Sequence, residues 1–196
     1  EKGFVFNKLG TGIGSDALLS LVASLPKKRL DHITSMGDYY TDLEGERDFY
    51  KQLDGTDVQL DRGKYRYRLV HAHAELEHYL NTEPTSVLLF FSIEGGHVFD
   101  CGLPGKTAVR QHVLDRVEQV KAWDERVFWI TLGHHFKNEL CGHARSLSGA
   151  AGGMLNQDDG LGQGIASLGY DVIERLLGSG PQDQILIDLK HMSPHS

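Results

Sequence analysis

The chain has 196 residues, 40% of them hydrophobic and 24% charged, enough for one domain with a buried core or a large piece of a bigger one. Its net charge of −7 argues against general binding to nucleic acid or to an anionic membrane, and its one basic cluster, Lys27-Lys28-Arg29, reads as a solvated helix end or loop. No apolar run approaches the roughly 20 residues needed to cross a bilayer.

The chain opens on a short strand-like piece, Phe4-Val5-Phe6, and a Gly-rich loop. Ser15 and Asp16 then cap a helix from Ala17 to Val22, which Pro26 ends. Leu30 to Met36 is ambiguous and could be a strand. Tyr39 to Leu53 predicts a helix with Tyr40, Leu43, Phe49 and Leu53 near one face, closed by the turn at Asp54-Gly55. Tyr65, Leu69, Ala72, Leu76, Tyr79 and Leu80 recur at three- and four-residue spacing, which predicts a second helix over Tyr65 to Leu80.

Val87 to Ile93 is apolar except for Ser92 and is bounded by Pro84 and Gly95-Gly96. Such a run reads as a strand buried on both faces, as in parallel sheets. Val109 to Trp123 predicts an amphipathic helix, Arg126 to Leu132 a second buried strand, Leu168 to Leu177 a helix, and Ile185 to Leu189 a third strand. Ser146 to Gly164, rich in Gly and polar residues, reads as an exposed loop. The alternation of helix and strand predicts parallel α/β architecture. Each of the three strands ends in a polar, ligand-capable residue: Glu94, His134 and His191. In barrels of parallel strands the carboxyl ends are where chemistry is placed. No glycine fingerprint of a nucleotide-binding sheet follows a strand, and Gly149 to Gly164 lacks the Gly-Lys-Ser/Thr ending of a phosphate loop.

Other constellations have plainer readings. His71-Ala-His73 falls inside the helix predicted over Tyr65 to Leu80, where residues two apart point about 200° from each other and do not readily chelate one ion. Asp158-Asp159-Gly160 reads as a solvated turn. Cys141-Gly-His143 has the residues of a nucleophile and its base but no third orienting group. His97 braces the Gly95-Gly96 turn. Of His134 and His135, one is expected to face the cavity at the strand ends. The two cysteines, Cys101 and Cys141, are too few for a disulfide framework. They read as free thiols in a reducing, cytoplasmic compartment, with one bridge as the alternative. Eleven histidines favour a metal or acid–base site.

Four segments, in order, carry a resemblance. Ser92-Ile-Glu-Gly-Gly-His97 resembles the Glu-Gly-Gly-His segment of the membrane (renal) dipeptidase family, metallopeptidases of the amidohydrolase-like barrel class. Trp129-Ile-Thr-Leu-Gly-His134, followed by Asn138, is similar to that family's Leu-Thr-Leu-Thr-His-Asn segment. Gly160-Leu161 and then Leu168-Gly-Tyr-Asp-Val-Ile173 are similar to its Gly-Leu-Thr…Phe-Gly…Val-Val helix. Ile187-Asp-Leu-Lys-His-Met-Ser193 resembles its Val-Asp-Leu-Ser-His-Val-Ser strand end. The resemblance spans residues 86–193.

It implies a (β/α)₈ barrel of the TIM type holding two divalent ions, zinc by family habit. Glu94 would bridge the ions, His191 would bind the second, and His134 would contact the substrate or its tetrahedral intermediate. The implied reaction is attack of a metal-activated hydroxide on the carbonyl of a dipeptide or small amide, with metal and His134 stabilising the oxyanion. The family's early His-x-Asp occurs nowhere in this sequence, and Gly133 and Lys190 stand where the family has Thr and Ser. The sequence is therefore expected to be one partial barrel domain over residues 1–196, a fragment of a longer catalytic domain. The remaining strands would come from the same gene, a companion chain or self-association. Two further readings are a degenerate, non-catalytic member kept as a binding or scaffold module, and a different amidohydrolase-like reaction on the same barrel.

Overall fold

A computed structural model describes residues 26, 28, 31, 32, 38–102, 105–146, 157–181 and 183–196. The expectations for Phe4–Phe6, the Ser15-Asp16 cap and Ala17–Val22 lie outside the described residues, as does most of the Ser146–Gly164 loop. Of the ambiguous Leu30–Met36 segment, Asp31 and His32 are described, and both are helical.

Helix α1 is Tyr39–Leu53. It starts at Asp38, whose carboxylate accepts the Thr41 N–H at 2.7 Å and so satisfies one of the helix's orphan donors. Strands β1 (Asp57–Leu60) and β2 (Gly63–Leu69) follow as an antiparallel hairpin. Helix α2 (His73–Thr82) then leads into β3 (Ser86–Leu89), which pairs parallel with β2. Beyond Phe90 the same run continues as β4 (Phe91–Glu94), which pairs parallel with β5 (Val127–Thr131). Between them lie a short 3₁₀ turn, Gly96–Phe99, and α3 (Arg110–Lys121). Helix α4 (Ser167–Leu177) connects β5 to β6 (Leu186–Asp188), again parallel. The fold is α/β, with strands grouped as β1-β2-β3 and β4-β5-β6, and the described strands form no closed barrel.

Three expectations are corrected. Tyr65–Leu80 is not one helix: its first part is β2 and its last part α2. Lys64, Arg66 and Arg68 alternate with Tyr65, Tyr67 and Leu69, a period of two, and these cations pair with Asp57 and Glu83. His71 therefore sits just past the end of β2 and His73 at the start of α2, so the helical argument against their chelating one ion does not apply. His71 instead donates its backbone N–H to Glu75, while His73 is exposed beside Glu77. The second correction is that Val87–Ile93 is not one continuous strand. It breaks at Phe90 and changes pairing partner there.

Third, the strands of the second sheet are buried on one face, not both. Phe91, Ile93, Val127 and Ile130 join Val113, Val117 and Val120 of α3 and Val172 and Leu176 of α4 in a single apolar cluster. The rung Ser92–Trp129–Leu186 lies on the opposite face, where Trp129 is 41% and Leu186 57% exposed. The reason is that α3 and α4 cover only one side of these strands. No described helix is long and apolar enough to cross a membrane.

Candidate metal centre

Two residues up the open face from that rung, the register sets Glu94, Thr131 and Asp188 side by side at the carboxyl ends of β4, β5 and β6. Three residues beyond each stands a histidine: His97, His134 and His191. The parallel register thus turns one repeated sequence spacing into a row of imidazoles over one end of the sheet. Thr131 Oγ donates to Asp188 Oδ2 at 2.9 Å, and Asp188 Oδ1 accepts the Lys190 N–H at 3.0 Å, which fixes the turn into His191.

The chain leaves the strands along tightly held paths. Gly95 and Gly96 donate to the carbonyls of Thr131 and Leu132 at 2.9 and 3.0 Å, prolonging the pairing past Glu94. Gly95 has φ +108, a conformation open to glycine, and a Cβ there would strike the His97 ring. Asn138, buried, donates to Leu132 O at 2.7 Å and accepts from the backbone N–H groups of Leu140 and Cys141. Gly133 lets the end of β5 approach the end of β6: a Cβ there would stand 3.2 Å from Met192 Cα and 3.3 Å from His191 O. His191 itself has φ +65, rare for a residue with a side chain. Its carbonyl is held by the Ala144 N–H at 2.8 Å, so the surrounding structure imposes the conformation.

These constraints bring the predicted residues together. Glu94 Oε1 is 3.6 Å from His134 Nε2 and 3.7 Å from His191 Nε2. His135, adjacent in sequence, joins them, its ring centroid 4.0 Å from that of His134 and 4.8 Å from that of His191. One donor atom from each of His134, His135 and His191 lies within 4.8 Å of the others. Among the described residues this is the one group of three or more His, Cys, Asp or Glu side chains with donor atoms so close. His97 stacks at the edge, 6.3 Å from His134 and edge-on to Tyr39. His71 and His73 are not part of the group.

The electrostatics are mixed. The hydrogen bond from Lys190, at 3.1 Å, holds the Glu94 carboxyl below the usual carboxylate range; burial opposes this, and His134 and His191 assist it only insofar as they are protonated. Burial first, and then neighbouring His135, push the His134 imidazole down to about 4, with Glu94 pulling the other way. His134 is thus a neutral ring near pH 7, the form that ligates metals. His135 Nδ1 faces Ser146 Oγ at 2.5 Å, a partner able to orient its ring.

The remaining constellations behave as expected from sequence. Asp158 and Asp159 pair with Arg145 and Lys137 around the Gly160 turn. Cys101 and Cys141 are free and buried, and burial pushes the Cys141 thiol up to about 11. His143 is fully buried with Nε2 3.0 Å from Asp159 O and Nδ1 3.2 Å from Ala144 O, so it is no base for Cys141. Sequence reasoning left open which of His134 and His135 turns toward the strand-end site; both join the cluster. The signal was Gly133, which ends strand alternation before either histidine. In comparison with known proteins, the chain matches no family model, no curated protein and no solved structure.

Proposed function

We propose that this protein is a metal-dependent hydrolase of the dipeptidase type, acting on a dipeptide or related small amide. The observation that carries the reading is the convergence of Glu94, His134 and His191 from three successive parallel strand ends. On the assignment that the resemblance implies, Glu94 and His191 would hold metal, with Glu94 shared by two ions, and His134 would meet the substrate. A bound divalent ion would lower the pKa of water and polarise a carbonyl. His134, neutral at pH 7, can donate one N–H to a carbonyl oxygen as negative charge develops there. Glu94, ionised, can accept a proton from attacking water or fix its orientation.

We further infer that β2, β3/β4, β5 and β6 are successive strands of a (β/α)₈ wall. Their parallel pairing and the helices α2, α3 and α4 between them support this. Under this reading the exposed rung of Ser92, Trp129 and Leu186 faces a lumen completed by further strands of the same or another chain.

A second reading, a non-catalytic binding or scaffold module, is favoured by one observation: Lys190 already occupies Glu94. Zinc- or cobalt-loaded protein assayed against a dipeptide panel separates the two. Turnover that Glu94→Gln abolishes supports the hydrolase. Metal binding with no turnover of any dipeptide, under conditions where a reference dipeptidase is active, would favour the module.

A further inference from the structure

We propose that His134, His135 and His191 form a single all-imidazole site for one borderline transition-metal dication of the zinc, cobalt, nickel or copper class, with Glu94 outside its ligand set. The inference rests on the reading that this strand-end cluster holds an ion, and departs from the assignment above at His134, which becomes a ligand, and at Glu94, which is no longer one.

The donor atoms carry the argument. Tetrahedral ligands about 2.0–2.1 Å from zinc sit about 3.4 Å apart. Here one nitrogen from each of three rings lies within 4.8 Å of the other two, so the rings need close by on the order of 1 Å. Each ring is held from outside the trio. His191 is set by its left-handed backbone and the Ala144 hydrogen bond, and His135 by Ser146. His134 is stacked against His97. Such outside partners are what keep a ligating imidazole oriented. His97 is too far to be the third ligand, its ring centroid 6.3 Å from His134 against 4.0 Å for His135.

Charge argues in the same direction. A Glu94-bridged pair of ions would place two dications around one carboxylate whose side chain is 53% exposed and already engaged by the Lys190 ammonium. One dication on three imidazoles, which ligate metal in their neutral form, needs no such neutralisation and leaves Glu94 paired with Lys190. Imidazole donors select zinc-class ions and leave magnesium and calcium, which take oxygen ligands, unbound.

The test uses the 196-residue protein and the metals alone. Zinc and cobalt titrations followed by calorimetry and by visible cobalt absorption are expected to give one site, with no magnesium binding. His135→Ala is expected to weaken zinc by about 100-fold or more, while Glu94→Gln, which removes only a nearby charge, weakens it by less than about tenfold and His97→Ala changes it by less than about threefold. Pulsed EPR of copper-loaded wild type, which requires no substitution and so no assumption about folding, is expected to count three imidazoles. Zinc lost in Glu94→Gln but kept in His135→Ala, or a single imidazole by EPR, overturns this site and leaves the Glu94/His191 assignment standing. Loss in both variants overturns the all-imidazole form, and no binding by wild type overturns both readings.

Discussion

Lys190 Nζ donates to Glu94 Oε1 at 3.1 Å, joining the turn after β6 to the end of β4 across the mouth of the histidine cluster. The ammonium pairs with Glu94, the carboxylate that faces His134 and His191, and it places a fixed positive charge beside any cation bound there. Replacing Lys190 with Met keeps the stem and removes that charge. The pair is more than half exposed, so the effect is that of a surface ion pair, roughly 1 kcal/mol. Zinc is expected to bind about fivefold more tightly to Lys190→Met than to wild type, the equivalent of that energy. Equal affinity measured by calorimetry at low salt would show that Lys190 does not act on the site.

The two cysteines are expected to be inert in the folded protein. Cys101 is fully buried and donates to Gly96 O at 3.0 Å, and Cys141 is 4% exposed. Burial raises both thiols, Cys141 to about 11, so neither carries an appreciable thiolate population near neutrality. An aromatic disulfide reagent should find no fast-reacting thiol in the native protein and two in denaturant. A cysteine that reacts within seconds under native conditions would contradict the packing described for it.

The strand ends were legible because a buried parallel strand writes itself as an apolar run, and the residue that stops it is easy to see: Glu94, and the turns before His134 and His191. Tyr65–Leu80 was misread because its apolar residues fit a 3.6-residue period while its charges followed a two-residue one. A hairpin lies half exposed, and on such an element the alternating cations, not the apolar residues, mark the period. His135 could not be assigned to the cluster from alternation, because neighbouring residues share a side only once the chain has left the strand. That departure depends on Gly133 and on Asn138 gripping Leu132 O, a contact formed through tertiary structure. The one-sided burial of the second sheet was equally invisible, since an apolar run does not reveal which face has a helix to cover it.

Two glycine-to-alanine substitutions are expected to move stability in opposite directions. Gly45 lies within α1, and a Cβ there meets nothing within 4 Å. Alanine would restrict the unfolded chain without touching the folded one, so Gly45→Ala should stabilise by roughly 0.5–1 kcal/mol. Gly169 lies in α4, and its Cβ would stand 2.0 Å from Leu140 O and 2.8 Å from Ile165 Cγ2. The backbone carbonyl cannot move aside, so Gly169→Ala should destabilise by about 3 kcal/mol or force α4 outward. Urea midpoints of the two variants, read against wild type, check both signs.

Glu125 gives a stability contribution whose pH dependence can be worked through. It is 3% exposed just before β5, with Lys51 at 2.7 Å from one carboxylate oxygen and Arg47 Nε donating to the other at 2.7 Å. Arg47 also covers the Trp123 ring at 4.6 Å, so one side chain ties α1 to both. Burial opposes the charge of Glu125, but the hydrogen bonds from Lys51 and Arg47 outweigh it and hold the carboxyl below its ordinary value. A folded-state value below the unfolded one means that the contribution is complete above the unfolded pKa, about 4.3, and is lost as pH falls through the folded one. Glu125→Gln removes the charge but keeps the shape. Lys51 and Arg47 can still reach water, so the loss should be about 2 kcal/mol at pH 7, less than for a fully sealed pair. The gap between wild type and Glu125→Gln should be constant from about pH 7 to pH 5 and narrow below about pH 4. Urea unfolding at a series of pH values measures that gap directly, and a gap that widened on acidification would mean the carboxyl is held protonated rather than ionised.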